Sequence, residues 1–89
     1  MQAGKAIIHI KTIGNSTEES INTVGMNLLD VLEQKHTIKV TFGNFLECID
    51  EVCSNRELVW TIYVNHHAIN AGIANYIIKD NDTIEIVYE

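Results

Sequence analysis

Gly43-Asn44-Phe45-Leu46-Glu47-Cys48-Ile49-Asp50-Glu51-Val52-Cys53, running on through Leu58-Val59-Trp60-Thr61-Ile62-Tyr63-Val64-Asn65, holds both cysteines, the only tryptophan and the longest β-branched and aromatic run of this 89-residue chain. A two-residue turn at Asp50-Glu51 pairs Ile49 with Val52 and sets Cys48 directly opposite Cys53. Facing residues of an antiparallel ladder have Cα atoms roughly 4.5 to 5.5 Å apart, inside the window of about 4.4 to 6.8 Å that a disulfide tolerates. The spacing therefore predicts a Cys48–Cys53 disulfide, a local clamp on a turn that contains neither Gly nor Asn. The loop it closes is too short to restrict the unfolded chain much, so its role is to pin the register. The alternative is a pair of half-buried free thiols. Four thiolates are needed for an iron–sulfur cluster, and two cysteines exclude one. A zinc site would require His66 or His67 to join the thiolates, and no second closely spaced ligand pair exists. Neither a metal nor a cofactor is expected.

Working outward, the length fits one domain over residues 1–89, small enough that a single core profits from a staple. A hydrophobic content of 46% with no proline and five glycines describes a folded unit, not a linker. Twelve acidic against six basic residues leave a formal charge of −6, which repels nucleic acid and anionic membrane surfaces. No apolar run has the length of a membrane span, so membrane insertion by this domain is not expected. Met1-Gln2-Ala3-Gly4 opens on a strand-like segment and is compatible with a trimmed signal peptide or lipoprotein anchor. Two sequons, at Asn15 and Asn81, fall in loops and lend weak support to export.

Lys5 to Ile13 alternates as a strand covered at least partly on both sides, Gly14 to Thr17 is a turn cluster, and Glu18 to Val24 alternates again, giving an N-terminal hairpin. A helix follows, with Asn27 as N-cap, Asp30 at the capping-box position, Met26 and Val31 at the staple positions, and an apolar stripe of Leu28, Leu29, Val31 and Leu32. It runs to Lys35 or His36, where Lys35 suits the helix dipole. Thr37 to Phe42 is a β-branched run, Ser54 to Glu57 a loop, and Leu58 to Asn65 the strongest strand, with Trp60, Ile62 and Val64 on one face and Val59, Thr61 and Tyr63 on the other. After the Asn65-His66-His67 turn comes a small, mixed stretch to Tyr76, a polar turn from Lys79 to Asp82, and a closing strand from Thr83 to Glu89. This order predicts an α+β chain of the β-grasp (ubiquitin-like) type, a mixed sheet around a single helix, whose first and last strands pair in parallel.

Four motifs carry a resemblance to a known family. They are Gly25-Met26-Asn27-Leu28-Leu29-Asp30-Val31-Leu32, Phe45 through Val52, Trp60-Thr61-Ile62-Tyr63-Val64-Asn65, and Lys79-Asp80-Asn81-Asp82-Thr83-Ile84-Glu85. In order and spacing they resemble the small β-grasp domain shared by the C-terminal part of transcobalamin and intrinsic factor and by exported prokaryotic proteins of unknown function, the DUF4430-like proteins. The likeness covers about residues 24 to 89. It departs at three glycines, replaced by Glu51, His66 and Asn81. Asn tolerates a positive φ, whereas Glu51 does so poorly and leaves more for the disulfide to hold. The resemblance implies binding, of a corrinoid in the vitamin B12 carriers, where a separate helical domain supplies the other half of the site.

Among the candidate residues, Trp60 is read as core, and Tyr63, on the opposite face, as either an exposed stacking aromatic or a packed one. His66 and His67 at the adjoining turn are candidate donors to a ligand or a metal pair, although adjacent turn histidines are most often simply solvated. Asp50 and Glu51 diverge at a hairpin tip and lack the environment that acid catalysis requires. No nucleophile, base and orienting acid assemble, there is no phosphate loop, and a chain stopping at Val87-Tyr88-Glu89 has no Gly-Gly tail for sulfur carriage. The expectation is a non-catalytic binding domain of an exported or cell-surface protein, taking a small ligand or glycan through Tyr63, Asn65, His66 and His67. The alternative is a protein-interaction or self-assembly module using an exposed edge strand.

Overall fold

In the computed structural model, which describes residues 2–89, eight strands and one helix follow in the order β1 (Gln2–Thr12), β2 (Asn15–Val24), α1 (Leu28–Glu33), β3 (Ile38–Val40), β4 (Leu46–Ile49), β5 (Val52–Cys53), β6 (Trp60–Val64), β7 (His67–Ala68) and β8 (Thr83–Tyr88). Five strands form a mixed sheet in the order β2-β1-β8-β6-β7, and β3-β4-β5 form a second, smaller sheet. The contact between β1 and β8 is parallel, pairing Ile8 with Ile84 and Ile10 with Ile86, as the order of elements predicts. The chain is thus α+β and dominated by sheet.

Alternation decides which face is buried. Ala6, Ile8 and Ile10 of β1, Ile84 and Ile86 of β8, and Trp60, Ile62 and Val64 of β6 all face inward. They meet Leu28, Val31 and Leu32 of α1 and Leu46 and Ile49 of β4 in one core. The outer face of β1 is open where the sequence predicts partial cover: Ile7 is 37% exposed. Its neighbours His9 and Lys11 are half-buried beside other side chains of the sheet and lie beneath no second layer.

Several boundaries differ from the sequence reading. The first hairpin turns in two residues, Ile13-Gly14, with Thr12 paired to Asn15 and Gly14 at φ 78°, so β2 begins inside the expected turn cluster. The helix is only six residues long and ends at Glu33, with Gln34 as its C-cap. It ends before Lys35 in a tightened last turn, where Gln34 donates to the Val31 carbonyl (3.3 Å) and Lys35 to the Leu32 carbonyl (3.1 Å). Three orphan N–H groups of its first turn are met from outside the helix ladder: Leu28 donates to the Tyr76 carbonyl (2.9 Å), Leu29 to the Ile73 carbonyl (3.1 Å) and Asp30 to the Asn27 side chain (2.8 Å), and the ladder itself begins with Val31 donating to the Asn27 carbonyl (3.3 Å). The segment from Ile69 to Ile78, featureless as a pattern, therefore caps the helix and drives Ile73 and Ile78 into the core.

Cys48 and Cys53 are disulfide-bonded, facing each other with Cα atoms 4.1 Å apart, and Ile49 pairs with Val52. The strain of that turn falls on Asp50 (φ 54°) and not on Glu51, which corrects the expectation drawn from the missing glycine. Asp50 is fitted to it: its N–H donates to the Thr37 carbonyl (2.7 Å) and its carboxylate accepts the Thr37 N–H (3.0 Å). Trp60 donates its indole N–H to the Val52 carbonyl (3.1 Å), and Tyr88 its hydroxyl to that of Cys53 (2.7 Å). With ring centroids 5.0 Å apart, these two aromatics fasten the disulfide hairpin to the end of the large sheet.

Candidate functional site

The turn after β6 is where the sequence places a ligand, and the backbone there is unusual. Val64 pairs with His67, so Asn65-His66 is a two-residue hairpin loop with both residues at positive φ, 51° and 72°. Asparagine suits that region and a hairpin of this length demands it. Histidine in place of the more permissive glycine costs on the order of 1 kcal/mol or more. His66 thus keeps the turn shape that its substitution for glycine put at issue, at a cost in backbone strain.

Asn65 is held on two sides. Its side-chain oxygen accepts the Thr83 N–H (2.9 Å) and its amide donates to Asp82 (3.1 Å). Asp82 is 5% exposed and also accepts the Tyr76 hydroxyl (2.5 Å) and the Lys79 N–H (2.9 Å). Burial and the bond to Asp82 push the Tyr76 phenol far up, so it remains a donor. A buried carboxylate with three donors is therefore the anchor of the turn. Sequence reasoning had no signal for it, because Asp82 looks like any polar turn residue until Asn65 and Tyr76 are brought onto it from other parts of the chain.

Across the outer face of the sheet the register aligns Glu18, His9, Glu85, Tyr63 and Ala68 in one row spanning all five strands. Lys11 donates to Glu85 (2.6 Å), His66 Nδ1 lies 3.4 Å from the same carboxylate, and His9 Nε2 lies 3.6 Å from Glu18. The bond from Lys11 outweighs burial and holds Glu85 below the usual carboxylate range, helped by the charges of Lys11, His66 and His9. Tyr63 donates to the Glu89 carboxylate, and that bond, then burial and the neighbouring acids, raise its phenol. The face thus presents a protonated phenol, an ionised carboxylate and exposed imidazole on a rigid sheet, a set suited to hydrogen-bonding a ligand.

Of the four predicted ligand residues, Tyr63 and Asn65 stand beside the strained His66 at one end of this row. His67 pairs with Val64, whose side chain is inward, and so belongs to the opposite side of the sheet edge. Glu85 and Lys11 join the cluster from strands far away in sequence. Both sulfurs are committed to each other, which removes the thiolate zinc site from consideration. Among the described residues no group of three or more His, Cys, Asp or Glu is arranged to hold a metal ion.

Comparison with known proteins agrees with this architecture. The family model described as a domain of unknown function (DUF4430) matches residues 25–89. A crystal structure from Ruminococcus gnavus, of a protein provisionally described as metal-binding, superposes with a TM-score of 0.79 at 15% identity, covering 97% of this chain and 96% of that one. Haptocorrin in complex with Cbi superposes with a TM-score of 0.70, also at 15% identity, covering 100% of this chain and 26% of haptocorrin. No curated protein matches the sequence.

Proposed function

This chain belongs to the DUF4430 family, and from that premise we propose that it is a non-catalytic binding domain. Its 89 residues form one β-grasp domain of an exported or cell-surface protein, and it recognises a small ligand or a glycan at the end of the sheet where β6 turns into β7. The carrying observation is His66 at φ 72° beside Tyr63 and Glu85. Strain held at a tip where glycine would be relaxed is a reason to look for function there. The disulfide supports an oxidising compartment. No helix of the described residues is long and apolar enough to cross a membrane. Haptocorrin's complex with Cbi supports binding as a use of this fold, but the chain spans only 26% of haptocorrin. A corrinoid is therefore not carried over.

The test is a glycan array together with a thermal-shift screen of small metabolites, with hits repeated on Tyr63→Ala and His66→Gly. Both variants are expected to weaken a hit about tenfold, roughly 1.4 kcal/mol. His66→Gly should at the same time be as stable as the wild type or more so, because it relieves the backbone. Hits unaffected by both variants, or no hits at all, would sink the reading.

A second reading, a protein-interaction module, is favoured by β2, which is ten residues long and lies at the edge of the sheet. Unpaired backbone groups along such an edge are a template for another strand. A dimer that grows with concentration in size-exclusion chromatography supports it; a monomer throughout leaves the first reading.

A further inference from the structure

Going beyond the outer-face site just described, an unassigned cleft opens on the inner side of the sheet. The tip of the first hairpin overhangs the core, and its inward positions change there from apolar to polar. Ile10 is 7% exposed, while the next inward residue is Thr12, and the residues across from this pair are Thr17 and Asn15. Facing them across a space of about 190 Å³ are Ile49, Asp50 and Val52 of the disulfide hairpin, with Trp60 at the back.

The walls are fixed before anything enters. His36, which also lines the space, is 2.7 Å from Glu19 through Nε2 and 3.0 Å from Asp50 through Nδ1, tying β2 to the disulfide hairpin. Both imidazole nitrogens are thereby used, and the Asp50 carboxylate is shared between His36 and the Thr37 N–H. The Trp60 indole is committed to Val52. Two hydroxyls and one amide remain: among the described residues, the side chains of half-buried Thr12 and of exposed Asn15 and Thr17 make no hydrogen bond to protein and are open to solvent at the mouth of the cleft. The cleft thus offers neutral donors and acceptors along one wall, an aliphatic surface on the other, and two carboxylates nearby that turn anions away. Its volume is below the roughly 300 to 1,000 Å³ of a site for a drug-sized ligand. One ring fits.

We propose that this cleft is a second binding site, taking a single uncharged polyhydroxylated ring of the sugar class, its hydroxyls on Thr12, Asn15 and Thr17 and its C–H face on Val52. The pairing follows from the chemistry, because such a ring has an apolar face and a polar rim. The test follows backbone-amide and indole NMR signals of the disulfide-intact protein while D-glucose, D-galactose, D-mannose and N-acetyl-D-glucosamine are each added to millimolar excess. At least one is expected to give saturable shifts at Thr12, Asn15, Thr17 and the Trp60 indole. Thr17→Val keeps the β-branched shape and removes one hydroxyl, and should weaken that binding about fivefold. Thr12→Val provides the same readout if the first variant disturbs β2. Four sugars that leave these signals in place, or shifts that persist unchanged in both variants, overturn the proposal. Shifts confined to Tyr63 and His66 overturn it too, while supporting the outer-face site, so the two readings fail separately.

Discussion

His36 illustrates how one side chain is governed by elements remote from it in sequence. Burial opposes its charge, but hydrogen bonds to Glu19 and Asp50 and the charges of both outweigh that, so it titrates above its ordinary 6.5. The Thr37 N–H, and then His36, hold Asp50 below its ordinary 3.8. A raised histidine contributes its stability in full below 6.5 and loses it as pH rises through the folded value; a lowered aspartate contributes above 3.8 and loses it as pH falls through the folded value. The clamp is accordingly strongest in mildly acidic solution. We expect the difference in thermal midpoint between wild type and His36→Gln to be largest near about pH 5 and to shrink toward about pH 9. A difference constant over that range would contradict the clamp. At Asp82 the expectation is steeper. Asp82→Asn sets an amide among three donors, leaving at least one without an acceptor, and should cost about 2 to 3 kcal/mol in urea unfolding. Because Asn65 hangs on this carboxylate, its NMR signal and that of His66 should move as well. A loss within about 0.5 kcal/mol would show that the anchor is not one.

Among the elements, the disulfide hairpin and the helix start were legible for the same reason: their determinants are local. The turn length sets Cys48 against Cys53, and an Asn three residues before the N–H it caps marks where the helix starts. A loop this short puts the bridge at the low end of what disulfides contribute, about 2 kcal/mol. Replacing both cysteines with serine should lower the urea midpoint accordingly and shift Trp60 emission, since the indole bonds to the hairpin at Val52. An unchanged midpoint together with unchanged emission would show that Trp60 and Tyr88 hold the hairpin unaided. The segment from Ile69 to Ile78 was not legible. Its burial depends on carbonyls meeting the first N–H groups of α1, and no periodicity encodes that.

For the whole molecule, β8, the C-terminal strand, is the central member of the five-stranded sheet, pairing in parallel with the N-terminal strand β1 and antiparallel with β6. Ile84, its second residue, is fully buried. Ile84→Ala should cost about 2 to 5 kcal/mol, a large part of the roughly 5 to 15 kcal/mol that holds a domain together. A loss under about 1 kcal/mol would mean that the core collapses around the gap. Read by itself, the sequence determined the α+β class, the parallel union of the first and last strands, the disulfide register and the inward placing of Trp60, because alternation and turn length act between near neighbours and the order of elements limits the rest. Only the tertiary structure decided that Glu85 and Lys11 join Tyr63, that His67 parts from it, that Asp82 is buried under the turn and that His36 bridges two carboxylates. Those outcomes depend on which strands lie side by side, and strand order is set by packing the whole core at once.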